Sequence, residues 1–239
     1  MNMHKSTQRR SRHILTGLLL VGIAFPSLAN AQGNDAHHRD YVAALAQVSQ
    51  SEAQILAAMK QVQSGQVAHY DFLQNEHIEL IRHARALAWP PGNISQPDKD
   101  ALRADAVALL SSAESLEWII ADFLRAVAQV RSATSNTLDI ASQAAQGTSG
   151  TLSASLEALQ VQTLMFMASG YNEGWEALAG VYDVVLTADI SDQTRRELQF
   201  QRERLALFTP QLQVHTQALL ESDVDVRAMH LQALFDEAT

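Results

Sequence analysis

The chain has 239 residues, with 17 Lys and Arg against 26 Asp and Glu and a formal net charge of −9. That acidity argues against nucleic acid and anionic membranes as partners, because both call for a basic face. Cysteine is absent, which excludes disulfides, thiolate metal sites, c-type haem attachment and a thiol nucleophile.

At the N-terminus Lys5, Arg9, Arg10 and Arg12 precede an apolar run over residues 14–25 that is short for a membrane span. Ala29 and Ala31 then put small residues where a signal peptidase reads. The pattern predicts a signal peptide over 1–31, cleavage before Gln32 and a periplasmic mature chain of residues 32–239. Ser11 and Arg12 follow the Arg9-Arg10 pair where a twin-arginine signal turns apolar, so ordinary secretion is the expected route. Cleavage removes those four basic residues and no acid, leaving 13 basic against 26 acidic residues, a net −13. No later stretch is long and apolar enough to be a membrane helix. Five prolines, ten glycines and little apolar alternation predict an all-α antiparallel bundle of about six to seven helices.

The first mature helix is expected from about His38, after the polar Gly33-Asn34-Asp35 lead. Its seam runs Tyr41, Leu45, Val48, Glu52, Ile55, Met59, Val62, a four-three alternation with a carboxylate in the middle. Gly65 closes the helix, as glycine commonly does where the chain turns left-handed. A second helix over about 70–87 carries Tyr70, Leu73, His77, Leu80, Ala84 and Leu87 on one line, again with one ionisable member. Glu52 lies thirteen residues before Gly65 and His77 twelve after it. In a helical hairpin the two should therefore meet at one level, within about 1.5 Å of rise per residue of uncertainty. Buried charges are rarely left unpaired, so the expectation is a Glu52–His77 contact that holds the Glu52 carboxyl below its ordinary range. Such a pair is open to two readings: a structural contact fixing register, or part of a ligand site in the bundle core. Beside the seam, His69, Glu76 and His83 recur every seven residues, about 10.5 Å apart and too far to share a metal ion. Glu79 and His83 read as a helix-stabilising pair.

Trp89-Pro90-Pro91-Gly92 stops that helix, and Ser95-Gln96-Pro97-Asp98 starts a long one. Its seam, Leu102, Ala106, Leu109, Ala113, Leu116, Ile120, Phe123, Val127 and Val130, has no polar member. Glu114, Glu117 and Asp122 should face solvent, while Trp118 and Ile119 predict that the middle touches two neighbours and is most buried. Residues 132–151 turn to Ser, Thr, Ala, Gln and Gly, predicting a poorly packed segment and a candidate boundary between 32–131 and 151–239. The next helix, over about 151–169, holds Met165 and Met167. Methionine could serve Cu(I), but core filling is the expected role. Gly170, Gly174 and Gly180 near Trp175 and Tyr182 suggest close backbone approach or a break. Ser191 or Asp189 caps a further helix bearing Leu198, Leu205, Phe208, Leu212, His215 and Leu219, with Pro210 expected to kink or divide it. A terminal helix over about 223–237 closes the bundle.

Glu52, His77 and His215 together would make a plausible metal set, one carboxylate and two imidazoles suited to Zn²⁺, Fe²⁺ or Cu²⁺. A haem b held by His77 with Met59 or His215 also fits the pattern. No Glu-x-x-His, His-Glu-x-x-His, phosphate loop, nucleophile elbow or dinucleotide fingerprint occurs. The sequence therefore points away from an enzyme. It favours an exported bundle binding a divalent transition metal or small ligand through core polar residues, with a cofactor-free interaction or sensing partner of a periplasmic or membrane system as the alternative. Oligomeric state is left open.

Overall fold

The computed structural model describes residues 26–65, 70–171 and 173–239. The n-region and apolar run of the expected signal peptide fall outside the described residues, as does His69. All regular structure among the described residues is helical, in seven segments: α1 (Pro26–Gln63), α2 (Asp71–Ala86), α3 (Gln96–Ala145), α4 (Thr151–Ala168), α5 (Trp175–Thr187), α6 (Asp192–Leu220) and α7 (Val224–Ala238).

The 50-residue α3 is the mast of the molecule, about 75 Å long at 1.5 Å per residue. Ser95 starts it by accepting from the Asp98 backbone N–H, with Pro97 in the first turn. All nine seam residues from Leu102 to Val130 are buried, and each large aliphatic or aromatic one contributes about 1.5–3 kcal/mol by leaving water. Along α3 the neighbours change: His77 of α2 meets Ala113, His230 of α7 meets Asp105, Arg204 of α6 meets Gln129, and Tyr182 of α5 meets Thr137. As α1 advances from Ser49 to Gln63, its partners recede from Asp225 to Thr216. Every predicted seam residue of α1 is buried, and so are Leu73, His77, Leu80, Ala84 and Leu87 after it. No described helix is long and apolar enough to cross a membrane.

Several local expectations are corrected. Helix α1 begins at Pro26 rather than near His38, although from residue 35 onward the first buried side chain is Tyr41. Trp118 is 74% exposed and Ile119 only half-buried, so the middle of α3 is not wrapped on two sides. Conversely, the Ser/Thr/Ala stretch packs well: α3 runs unbroken to Ala145, with Ala133, Thr134, Thr137 and Ala141 at 0% exposure. Its small side chains admit Tyr182, whose hydroxyl bonds Thr137 while Thr137 Oγ1 also donates to the Ala133 carbonyl. Burial pushes the Tyr182 phenol up to about 12, the Thr137 bond opposing the shift. Met165 is 59% exposed instead of filling the core. Pro210 lies inside α6 without dividing it, and Ser191 supplies the α6 cap.

Gly65 has φ +76°, a left-handed conformation that glycine adopts without a side-chain clash. Beside it Arg131 Nη2 donates to the Val62 carbonyl at 2.9 Å, satisfying an α1 C-terminal acceptor, and Nη1 donates to Tyr70 Oη at 3.0 Å. A Cβ at Gly65 would stand 3.2 Å from Arg131 Nη2. Gly65→Ala should therefore lower stability by about 1 kcal/mol, from the strained φ and the displaced guanidinium. Urea unfolding checks this, and an unchanged midpoint would refute it.

Candidate functional site

Glu52 and His77 are the charged or ionisable interruptions of the α1 and α2 seams, and both are buried, at 5% and 6% exposure. The expected bond between them is not formed, because each finds a different partner. His77 Nε2 lies 2.9 Å from the Ala113 carbonyl of α3, which only accepts, so Nε2–H is the donor. Ala113 permits the approach because its methyl leaves room for an imidazole at the helix surface. The Glu52 carboxyl lies instead beside the start of α7, close enough to the Ser222 side chain and the Asp225 backbone for both to favour its ionised form. Both groups stand near one level of the bundle: Ser112, next to Ala113, is close enough to Asp223, which adjoins Ser222, to favour its ionised form. They simply look outward from α1 and α2 onto different helices.

Glu52 thereby does for α7 what a capping side chain would do. Asp223, at the α7 N-cap, makes no side-chain cap of its own, and the first turn of any helix leaves backbone N–H groups seeking acceptors. A carboxylate delivered from α1 stands at the positive end of the helix, beside the Asp225 backbone. Burial nevertheless raises the Glu52 carboxyl above its ordinary value. Ser222 and the Asp225 backbone oppose that, and the charges of Asp225 and Asp223 add to it. This reverses the lowered pKa expected for a Glu52–His77 pair, since the nearest charges are carboxylates. Around this seat, Ser49 Oγ donates to Asp225 Oδ1 at 3.0 Å, and Arg227 Nε donates to Asp223 at 2.6 Å. Ser112, followed by Arg227, holds the Asp223 carboxyl below its ordinary range. His230 pairs with Asp105 across a cleft of ≈ 390 Å³ shared with Asp223, Val226 and Arg227.

His215 is half-buried rather than in the core. Its neighbour Thr216 bonds Gln63 of α1, eleven residues from Glu52, or about 16 Å along the helix. The structure therefore does not bring Glu52, His77 and His215 to one point. Among the described residues no three His, Asp or Glu side chains are grouped to hold a metal ion. On the α2 flank, Glu79 pairs with Arg82 and stands 3.6 Å from His83. Burial and Arg82 lower the His83 pKa, with Glu79 opposing them.

The residues that sequence reasoning missed are Ser222, Asp223 and Asp225. Their signal was present as a Ser-Asp-x-Asp start to the last helix, but nothing local shows that a residue 170 positions earlier would complete the cap. Tyr41 was seen only as an apolar seam member. It stacks on Phe235 with ring centroids 4.8 Å apart, and its hydroxyl is buried without a hydrogen-bond partner. Burial, then the charge of Asp105, pushes this phenol up to about 12. Removing an unsatisfied hydroxyl relieves a desolvation penalty. Tyr41→Phe should thus be neutral to stabilising, by up to about 1 kcal/mol; a loss in thermal midpoint would show that the hydroxyl does have a partner.

Comparison with family models, curated proteins and solved structures found no match.

Proposed function

We propose that this chain is an exported, antiparallel helical bundle that serves as a non-catalytic, cofactor-free interaction partner in the periplasm. The observation that carries this reading is that the two ionisable residues of the α1 and α2 seams face other helices of the bundle rather than a common site. His77 is engaged by the Ala113 carbonyl and Glu52 by the α7 N-terminus, each acting as a joint between helices. By contrast, large apolar side chains stand exposed along the helix faces, among them Trp118 at 74%, Met229 at 64% and Met165 at 59%. Side chains of that kind on long helices are suited to recognition by other helices. Export is supported by the basic residues, apolar run and small-residue cleavage pattern of the first 31 positions.

The test has two arms. A photo-crosslinking residue placed in turn at Trp118, Met165 and Met229 of the exported protein should give a discrete adduct from at least one position in the periplasmic fraction. The purified protein should show no shift in thermal midpoint with Zn²⁺, Cu²⁺ or haem. A ligand-dependent shift abolished by His77→Gln would return the reading to a core metal or haem site, and adducts at none of the positions would remove the interaction reading.

A further inference from the structure

The α4 helix departs from the way helices ordinarily divide their faces. Its buried side is Leu156, Leu159, Thr163 and Phe166. Directly opposite, Ala154, Ala158, Val161, Leu164, Met165 and Ala168 are all exposed, with Val161 and Leu164 at 53%. Glu157 is the single charged residue among its 18. A helix apolar on both sides is normally enclosed on both, yet this one shows half of its apolar surface to water.

The spacing of the exposed side says what would cover it. Ala154, Ala158, Val161, Met165 and Ala168 follow intervals of four, three, four and three, the seam that another helix reads. Alanines toward both ends let a second backbone approach closely, while Val161, Leu164 and the adaptable Met165 fill the centre. A strand would need alternation, which is absent.

Charge narrows the occupant further. Residues 132–194 contain no Lys, Arg or His and seven acidic residues, Glu157, Glu173 and Glu176 among them, with Asp183 paired to Arg202 of α6. A second copy of this chain would bring an equally acidic α4–α5 hairpin to the same place. A helix carrying Lys or Arg beside its apolar seam would meet complementary potential instead.

We propose that the outer face of α4 docks a cationic amphipathic helix of another protein, laid along the seam from Ala154 to Ala168. This inference rests on the interaction-partner reading and assigns it a face and a partner chemistry. The probe is a pair of synthetic 21-residue amphipathic helices with identical Leu/Ala seams, one flanked by Lys and one by Glu, titrated against the full chain by fluorescence anisotropy. The Lys peptide should bind saturably, at least tenfold more tightly than the Glu peptide, and more weakly as salt rises. Val161→Glu and Met165→Glu should each weaken it at least tenfold, while Val107→Glu, at a 61% exposed position near the other end of α3, leaves it unchanged. Because the chain has no cysteine, a polarity-sensitive dye on Met165→Cys gives a second readout, a blue shift on adding the Lys peptide. Absence of binding, equal binding of both peptides, or indifference to the stripe substitutions would overturn the proposal. So would self-association abolished by Val161→Glu, which makes the occupant a second copy, or stripe-dependent binding to neutral phosphatidylcholine vesicles, which makes it lipid. Adducts from Trp118 or Met229 with no peptide binding on α4 would overturn the face alone; adducts from no position would overturn the broader reading as well.

Discussion

His77→Ala is expected to lower unfolding stability by about 3 kcal/mol, the largest effect of any substitution among the buried polar residues. Two losses combine. The imidazole fills a seam position between Leu73 and Leu80, all three buried, and emptying such a position costs about 2–5 kcal/mol depending on how far the site collapses. Its Nε2–H also gives the Ala113 carbonyl a second donor on a buried helix surface, a bond contributing about 1 kcal/mol. His77→Gln separates these terms, because an amide keeps a donor and much of the volume, so it should recover more than half of the loss. Chemical denaturation of the three proteins at fixed pH measures this. Equal losses for Ala and Gln would mean that the imidazole does something an amide cannot, and would favour a ligand role.

The same residue shows what the sequence could and could not reveal. Helical periodicity identified Glu52 and His77 as inward-facing, and both are buried. Loop length and the turn at Gly65 set their level along the bundle. Neither kind of information states the direction in which a buried side chain looks, because that depends on which helix stands behind. Glu52 turns to Ser222 and Asp225, and no hairpin argument reaches across so much chain. Trp118 and Met165 failed for a related reason. Hydrophobicity predicts burial only when a neighbour exists to cover it, and on these faces none does among the described residues. Thr134 and Thr137 failed in the opposite sense: they look polar in sequence, but each hydroxyl bonds a carbonyl one turn back in α3. That contact removes the need for water and leaves a surface small enough for close packing.

Glu52→Gln should stabilise the protein near neutral pH by about 1 kcal/mol, unusually for a substitution at a buried polar residue. The Gln carbonyl keeps an acceptor facing Ser222 and the Asp225 backbone. Its NH₂ offers Asp223 and Asp225 a donor where wild type presents a third negative charge. Because the folded pKa of Glu52 is raised from its ordinary 4.5, its favourable contribution is complete below that value and is lost as pH rises through the folded one. The advantage of the Gln variant should accordingly be smallest at pH 4 and grow toward pH 8, in the reverse sense to a salt-bridged carboxylate. Urea midpoints of the two proteins across that range report the sign directly, and a gap that widens on acidification would show Glu52 to be paired with a cation. Combining Glu52→Gln with His77→Gln adds a geometric check. Since the two side chains face different helices, their effects should sum to within about 0.5 kcal/mol, whereas a larger coupling would place them in direct contact.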